Sequence, residues 1–310
     1  MKTVFIDGSA GTTGLRIRER LETREDIKLL SLPEELRKDP TARKEMLNTA
    51  DAVFLCLPDD AAREAVSMIE NPDVVVLDTS TAHRTLVGWS YGFPELSPIH
   101  AQGIKNSKRI AVPGCHASGF IALVYPLLQA GILPFGARLT CTSLTGYSGG
   151  GKKMIAEYQS DDRNPLLSAP RQYGLTQQHK HLKEMQAITG LHNAPAFLPI
   201  VADFYSGMEV TIPLFASDLN AGKGIEDVKA AYAAAYRTPL LSYVESADEN
   251  GFLSASALSG KDSMQISVHG NEDRILLVAR YDNLGKGASG AAIECLNTVL
   301  GVDPYLGLAL

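Results

Sequence analysis

Over its first eighty residues the chain alternates short apolar runs with helical stretches, and this alternation constrains the fold more than any other feature. Thr3 to Asp7, Ile27 to Ser31, Ala52 to Leu57 and Val74 to Asp78 are apolar runs of strand length, and Thr13 to Leu21, Lys38 to Leu47 and Asp59 to Ile69 lie between them. Strands separated by helices of this size predict a parallel sheet with crossover helices, hence an α/β fold. Beyond residue 115 the pattern changes. Leu139 to Leu144, Glu209 to Leu214, Gln265 to His269 and Ile275 to Tyr281 read as longer alternating strands with fewer helices between them, which predicts a second domain of α+β type with a mainly antiparallel sheet. The last helical stretch, Gly287 to Leu300, is apolar at Ala288, Ala291, Ala292, Cys295, Leu296 and Val299 and is expected to return to the first domain. With no internal repeat or obvious linker, two closely joined domains are expected, 1–114 with 286–310, and 115–285.

Composition excludes several classes of function. The chain has 310 residues, 45% of them hydrophobic and 21% charged, which suits two globular domains with full cores. A net charge of -6 without a block of Lys or Arg argues against a nucleic-acid partner. No apolar run is long enough to cross a membrane and the N-terminus reads as a strand, so a cytoplasmic protein is expected. Cys56, Cys115, Cys141 and Cys295 are scattered without metal-ligand spacing, so neither a metal site nor disulfides are expected.

Between the first strand and the first helix lies Asp7-Gly8-Ser9-Ala10-Gly11-Thr12-Thr13-Gly14. Its glycines allow a tight turn and close approach of the backbone to a phosphate, with Thr12 and Thr13 at the helix start, where N–H groups and the macrodipole favour an anion. The spacing departs from the usual dinucleotide fingerprint, and an ordinary strand-helix turn also uses glycine; the position in the chain favours a dinucleotide site. After the second strand comes Leu30-Ser31-Leu32, with Arg37 and Lys38 shortly beyond, rather than the carboxylate that holds an NAD ribose, so NADP(H) is preferred despite Glu34 and Glu35. Leu57-Pro58-Asp59 and Asp78-Thr79-Ser80-Thr81 read equally as cofactor-crevice loops or as helix caps.

Three further clusters carry chemistry. In Val112-Pro113-Gly114-Cys115-His116-Ala117-Ser118-Gly119 a single cysteine opens an apolar helix. A helix start favours a nucleophilic thiolate, although a small buried hydrophobe is the ordinary alternative. In Gln177-Gln178-His179-Lys180-His181 the two histidines do not share a helical face but can both face a pocket from a loop or helix start; His179 is preferred as acid/base and His181 as substrate contact. His116 is expected to point away from the nucleophile, and the remaining histidines, His83, His100, His192 and His269, to be mostly surface or capping groups. Thr145 to Lys153 includes Tyr147, Ser148, Gly149 and Lys152; hydroxyls, loop N–H groups and a cation suit a phosphate or carboxylate, and a flexible surface turn is the alternative.

Taken in order, Asp7 to Leu15, Pro113 to Gly119, Thr145 to Lys153, His179-Lys180-His181 and Asp282-Asn283-Leu284-Gly285-Lys286-Gly287-Ala288-Ser289-Gly290 resemble the N-acetyl-γ-glutamyl-phosphate reductases, in the shorter of their two forms. The longer form tends to have Tyr-Pro-Thr after its cysteine and Arg where this chain has Lys152 and Lys180. The resemblance implies a Rossmann-like dinucleotide-binding domain plus a catalytic and oligomerisation domain, on the plan of the aspartate-semialdehyde and glyceraldehyde-phosphate dehydrogenases. It implies NADPH-dependent reduction of an acyl phosphate to a semialdehyde and phosphate through a Cys115 thioester, in arginine biosynthesis, by a homo-oligomer, dimer or tetramer. Gly8, Ser9, Gly11, Thr12, Thr13, Gly14, Ser31, Arg37, Pro58 and, at the nicotinamide end, Asn283 become the expected cofactor contacts, and Lys152, His181, Tyr147, Ser148 and Gly149 the substrate contacts. Another acyl-phosphate reductase, such as an aspartate-semialdehyde dehydrogenase, a thiol hydrolase, or a nucleotide sensor without turnover are the competing readings.

Overall fold

The computed structural model describes residues 1–310. Two compact units divide the chain: Met1–Pro94 with Pro98–Gly114 and Ala288–Leu308, and Glu95–Ser97 with Cys115–Gly287 and Ala309–Leu310. The first runs β1 (Lys2–Asp7), α1 (Thr12–Glu22), β2 (Ile27–Leu30), α2 (Pro40–Thr49), β3 (Ala52–Leu55), α3 (Asp59–Ser67), β4 (Val75–Asp78), β5 (Ser90–Tyr91), α4 (Pro98–Asn106) and β6 (Arg109–Ala111). All six strands are parallel, in the order β2-β1-β3-β4-β6-β5.

Strand alternation explains why these runs are apolar throughout. Val4, Ile6, Ala52, Phe54, Val75 and Leu77 bury against one helical layer, while Phe5, Val53, Leu55, Val74 and Val76 bury against the other. Ile17 and Leu21 of α1 and Ile104 of α4 cover the first face; Leu47 of α2 and Ala62 and Ala65 of α3 cover the second. The strands β5 and β6 and helix α4 were absent from the sequence reading, because runs of two and three residues carry no usable periodicity.

The second unit comprises α5 (Cys115–Gln129), β7 (Thr140–Gly146), α6 (Gly151–Gln159), β8 (Arg171–Gln172), α7 (His181–Thr189), β9 (Ala196–Ala202), β10 (Met208–Phe215), α8 (Ile225–Ala235), β11 (Leu241–Tyr243), β12 (Met264–Gly270) and β13 (Arg274–Tyr281). Its seven strands run β11-β12-β13-β10-β7-β9-β8. The sheet is mixed but mainly antiparallel, the exceptions being β11 with β12 and β7 with β9. After a π-helical turn at Gly285–Ser289, α9 (Gly290–Leu300) rejoins the first unit, where Ala291, Ala292, Cys295 and Leu296 bury beside Ile17 and Ile110.

Helix α5 is apolar on every side and nearly all of it is buried, so it forms the centre of the second unit. Pro126 lies inside it and has no N–H for the Ala122 carbonyl four residues back; the Tyr236 hydroxyl donates to that oxygen at 2.7 Å. At the other end, Tyr281 donates its hydroxyl to the Cys115 carbonyl at 2.6 Å and accepts from the Gly119 N–H at 3.1 Å. Only glycine leaves room for this, since a Cβ at residue 119 would lie 2.6 Å from the Tyr281 oxygen and 2.7 Å from Val210. Gly119→Ala is therefore expected to lower stability by about 1–3 kcal/mol, as overpacking of a dense core does. Urea unfolding checks this, and an unchanged midpoint would contradict the tight Tyr281 contact.

Candidate active site

The nucleophile candidate takes its place from the helix it opens. Cys115 is the first residue of α5 and is partly exposed, and the turn after β13 lies against it: a Cβ on Gly287 would be 3.1 Å from the Cys115 Cβ. Burial pushes the Cys56 thiol up to about 12 and raises Cys141 too, so neither serves as a thiolate near neutral pH.

The ring of His116, the residue after the cysteine, joins the two histidines of the 179–181 segment. The His116 ring lies 5.6 Å from that of His179 and 5.7 Å from that of His181, and those two rings are 4.8 Å apart. His179 precedes α7 and His181 is its first residue, so their spacing of two brings both to one place from a helix start. His116 is buried between two hydroxyls, Nδ1 to Ser143 Oγ and Nε2 to Tyr173 Oη, each at 2.7 Å. Phe197 closes the cluster at 5.3 Å from the His116 ring and 5.1 Å from that of His179. The signal for His116 lay in its adjacency to Cys115; Tyr173 carried no local signal, because only the fold brings strand β8 to α5.

Electrostatics favours the neutral form of two of these rings. Burial, reinforced by the charges of His179 and Lys180, pushes the His116 pKa down to about 3. Burial and then Lys180 lower His179 as well. Burial and then the charge of Cys115 raise the Tyr173 hydroxyl. His179 Nδ1 accepts from the His181 N–H at 3.2 Å, so its neutral form carries its proton on Nε2 and can donate from there.

The glycine-rich turn after β7 divides its duties. Tyr147 stacks on Tyr158 with ring centroids 4.6 Å apart, and buried Ser148 accepts from Asn283 Nδ2 at 3.0 Å. Asn283 also accepts from the Gly207 N–H at 2.9 Å, so it braces the second unit from within. Gly149 and Lys152 are exposed, Lys152 at the second position of α6. Buried Lys286 pairs with Glu95, which explains why the short segment Glu95–Ser97 belongs to this unit.

In the first unit, a cleft of about 900 Å³ is lined by Gly8, Ser9, Ser31 and Arg37 among the expected cofactor contacts, together with Asp7, Leu57, Lys38 and Arg43. Gly8 has φ +86°, and a Cβ there would meet the Cys56 carbonyl at 2.3 Å, so this turn requires glycine. Gly11 is the N-cap of α1 without a side-chain cap, followed by Thr12, Thr13 and Gly14 in its first turn. Pro58 is the N-cap residue of α3. The loops after β3 and β4 are tied together, Asp59 accepting from the Thr81 N–H at 2.9 Å. His83 is buried rather than a surface group, with Nδ1 2.6 Å from the Asp78 carboxylate and its ring stacked on Trp89.

A parallel dinucleotide-type sheet, a mixed sheet and a cysteine opening the buried helix of the second unit define the class of the semialdehyde dehydrogenases. Residues 3–104 match the model of the semialdehyde dehydrogenase NAD binding domain, and residues 115–283 match that of the semialdehyde dehydrogenase dimerisation domain. Among solved structures, aspartate semialdehyde dehydrogenase II of Vibrio cholerae superposes with TM-score 0.74 at 17% identity, covering 97% of this chain and 98% of that one. The Candida albicans aspartate semialdehyde dehydrogenase with NADP gives TM-score 0.67 at 16% identity over 97% and 99%. N-acetyl-γ-glutamyl-phosphate reductase 2 of Nostoc sp. is 45% identical over 98% of both chains, and the reductase of Rhizobium meliloti is 45% identical over 96% and 98%. The chain belongs to the N-acetyl-γ-glutamyl-phosphate reductase family.

The histidine cluster generates a stability prediction. Unfolded histidine titrates near ~6.5 and His116 in the fold at about 3, so between these values the unfolded chain binds the extra proton. The stabilisation is fully present above the upper value and is lost as pH falls, at about 1.4 kcal/mol per pH unit for one such group. His116→Gln is expected to flatten this part of the pH dependence in urea unfolding at pH ~7 and ~5; an unaltered slope would assign it to another group.

Proposed function

We propose that the chain reduces N-acetyl-γ-glutamyl phosphate with NADPH to N-acetylglutamate γ-semialdehyde and phosphate, a step of arginine biosynthesis in the cytoplasm. The observation that carries this reading is Cys115 at the first position of a buried helix, with the His116 ring beside those of His179 and His181. Relatives named as reductases at 45% identity favour this substrate over aspartyl phosphate, whose dehydrogenases share the fold at 17%. A thiol hydrolase or a sensor leaves either the dinucleotide-type loop or the cysteine without a role.

The first unit is the cofactor domain. Its residues fit NADP(H): the Gly8 turn admits a phosphate close to the backbone, and the start of α1 has no side-chain cap competing for its N–H groups. Ser31 stands where an NAD site places a carboxylate, and Arg37 and Lys38 line the same cleft to meet a 2′-phosphate. Pro58, at the start of α3, is assigned to the cofactor crevice.

Catalysis belongs to the second unit. The Cys115 thiolate attacks the acyl carbon, forming a C–S bond as the bond to the phosphate oxygen breaks, so that a thioester and phosphate result. NADPH, when bound, supplies the hydride that makes the thioester carbon an aldehyde carbon. His179 Nε2–H donates to the oxygen that gathers charge, a role worth about 3–4 kcal/mol for a well-placed donor. Collapse breaks the C–S bond, releasing the aldehyde and restoring the thiolate. His181, Tyr147, Ser148, Gly149 and Lys152 hold the substrate's phosphate and carboxylate.

The same unit is assigned to homo-oligomerisation. One face of its sheet buries Cys141, Phe197, Val210 and Ile212, while the other leaves Leu144, Leu198, Ile200, Pro213, Phe215 and Leu276 partly or fully exposed. A second copy of the chain is the proposed cover for that face.

Cys115→Ala is expected to reduce phosphate-dependent NADP reduction by N-acetylglutamate semialdehyde on the order of 10³-fold or more, as loss of a covalent nucleophile does. NADPH binding, followed by fluorescence titration, should be unchanged. Substantial residual turnover would rule out the thioester route.

A further inference from the structure

Arg171 is a cation whose position in the second unit no role described above explains. It lies in β8 with its guanidinium carbon 5.4 Å from the centre of the Tyr158 ring, and its Nη2 donates to the Tyr158 hydroxyl at 3.0 Å. Its Nε is buried without a hydrogen-bond partner, and no carboxylate pairs with it. Neighbouring Arg163, by contrast, is satisfied by Asp203 through two bonds of 2.9 and 2.7 Å. A partly buried guanidinium that uses one of five donors within the fold is suited to an anion from outside.

Its neighbours say which anion. Tyr173 follows β8 directly, donates its N–H to the Pro199 carbonyl at 3.0 Å and reaches His116, the residue next to Cys115. Tyr173 and Tyr147 both pack on the Tyr158 cluster, so Arg171 shares its aromatic wall with the glycine-rich turn and the histidine cluster. Lys152 and Lys180 are exposed point charges, suited to a phosphate that arrives and departs. Arg171 is planar and set in place by a ring and a hydroxyl, which suits a two-bond grip on a carboxylate that stays through the reaction.

We infer that Arg171 binds the free carboxylate of the acyl-phosphate substrate and selects for substrates that carry one. The inference rests on the reductase reading above. It assigns the carboxylate to Arg171 in place of Lys152 and leaves the lysine to the phosphate.

The test compares N-acetylglutamate semialdehyde with the same semialdehyde capped as its primary carboxamide, in phosphate-dependent NADP reduction. The unaltered enzyme should prefer the carboxylate substrate. In Arg171→Gln, kcat/KM for that substrate should fall about 10- to 100-fold, mostly through KM, as loss of a charge-assisted pair does. The carboxamide should change by less than about 3-fold, so that the preference collapses. Arg171→Lys, which keeps the charge and the packing, should recover part of it, and alkylation of Cys115 should be unaltered in both variants. An equal loss on the two substrates, or a preserved preference, overturns the assignment to Arg171 while the reductase reading stands. Absence of turnover by the unaltered enzyme with either semialdehyde overturns both.

Discussion

A single hydroxyl group holds the start of α5, the helix that Cys115 opens. Tyr281 bridges the Cys115 carbonyl and the Gly119 N–H, the two groups that the first turn of α5 would join directly. The end of a helix is its least constrained part, so a bond from a fully buried tyrosine restrains the turn that carries the Cys115 thiol. Tyr281 ends β13, and the next two residues extend the same bracing. Asp282 accepts from Ser206 Oγ at 2.9 Å and the Leu284 N–H at 2.7 Å, while Asn283 links Gly207 to Ser148. One strand end therefore ties together the sheet, the glycine-rich turn and the cysteine.

The same principle operates deeper in the helix, where burial forbids an unpaired carbonyl. Pro126 removes one ladder bond at a position that water does not reach, and Tyr236 replaces it. Tyr232, one turn earlier on α8, gives its hydroxyl to the Leu123 carbonyl at 2.5 Å. Both tyrosines are held far from ionisation by burial, so they act only as neutral donors. Helix α8 is thus fixed to α5 by polar contacts of defined geometry as well as by apolar packing, a restraint that greasy surfaces alone do not supply.

These differences in mechanism decide what the sequence displayed. The first unit was legible because each of its longer strands faces two helical layers and its pattern repeats locally; Phe5 and Ile6 belong to different cores, yet both had to be apolar. The Gly8 turn was legible for a similar reason, since its conformation excludes other residues. His116, Tyr173 and Arg171 were not, because what makes them interesting is a partner 27, 57 or 13 positions away. A histidine beside a cysteine looks the same in sequence whether its ring meets solvent or two other imidazoles. Asn283 shows the converse: a residue in a conspicuous motif has both ends of its amide engaged inside the second unit.

Three imidazoles within 6 Å of one another also limit how the site handles charge. Protonating one raises the energy of protonating the next, and burial and Lys180 work in the same direction on His116 and His179. His116 and His179 therefore offer neutral rings rather than cations. In the proposed reaction this division is physically sensible: fixed dipoles would stabilise the oxygen at the reacting carbon, while lysines at exposed positions would meet the phosphate and let it go. Charged imidazoles would instead attract the released phosphate and slow its departure.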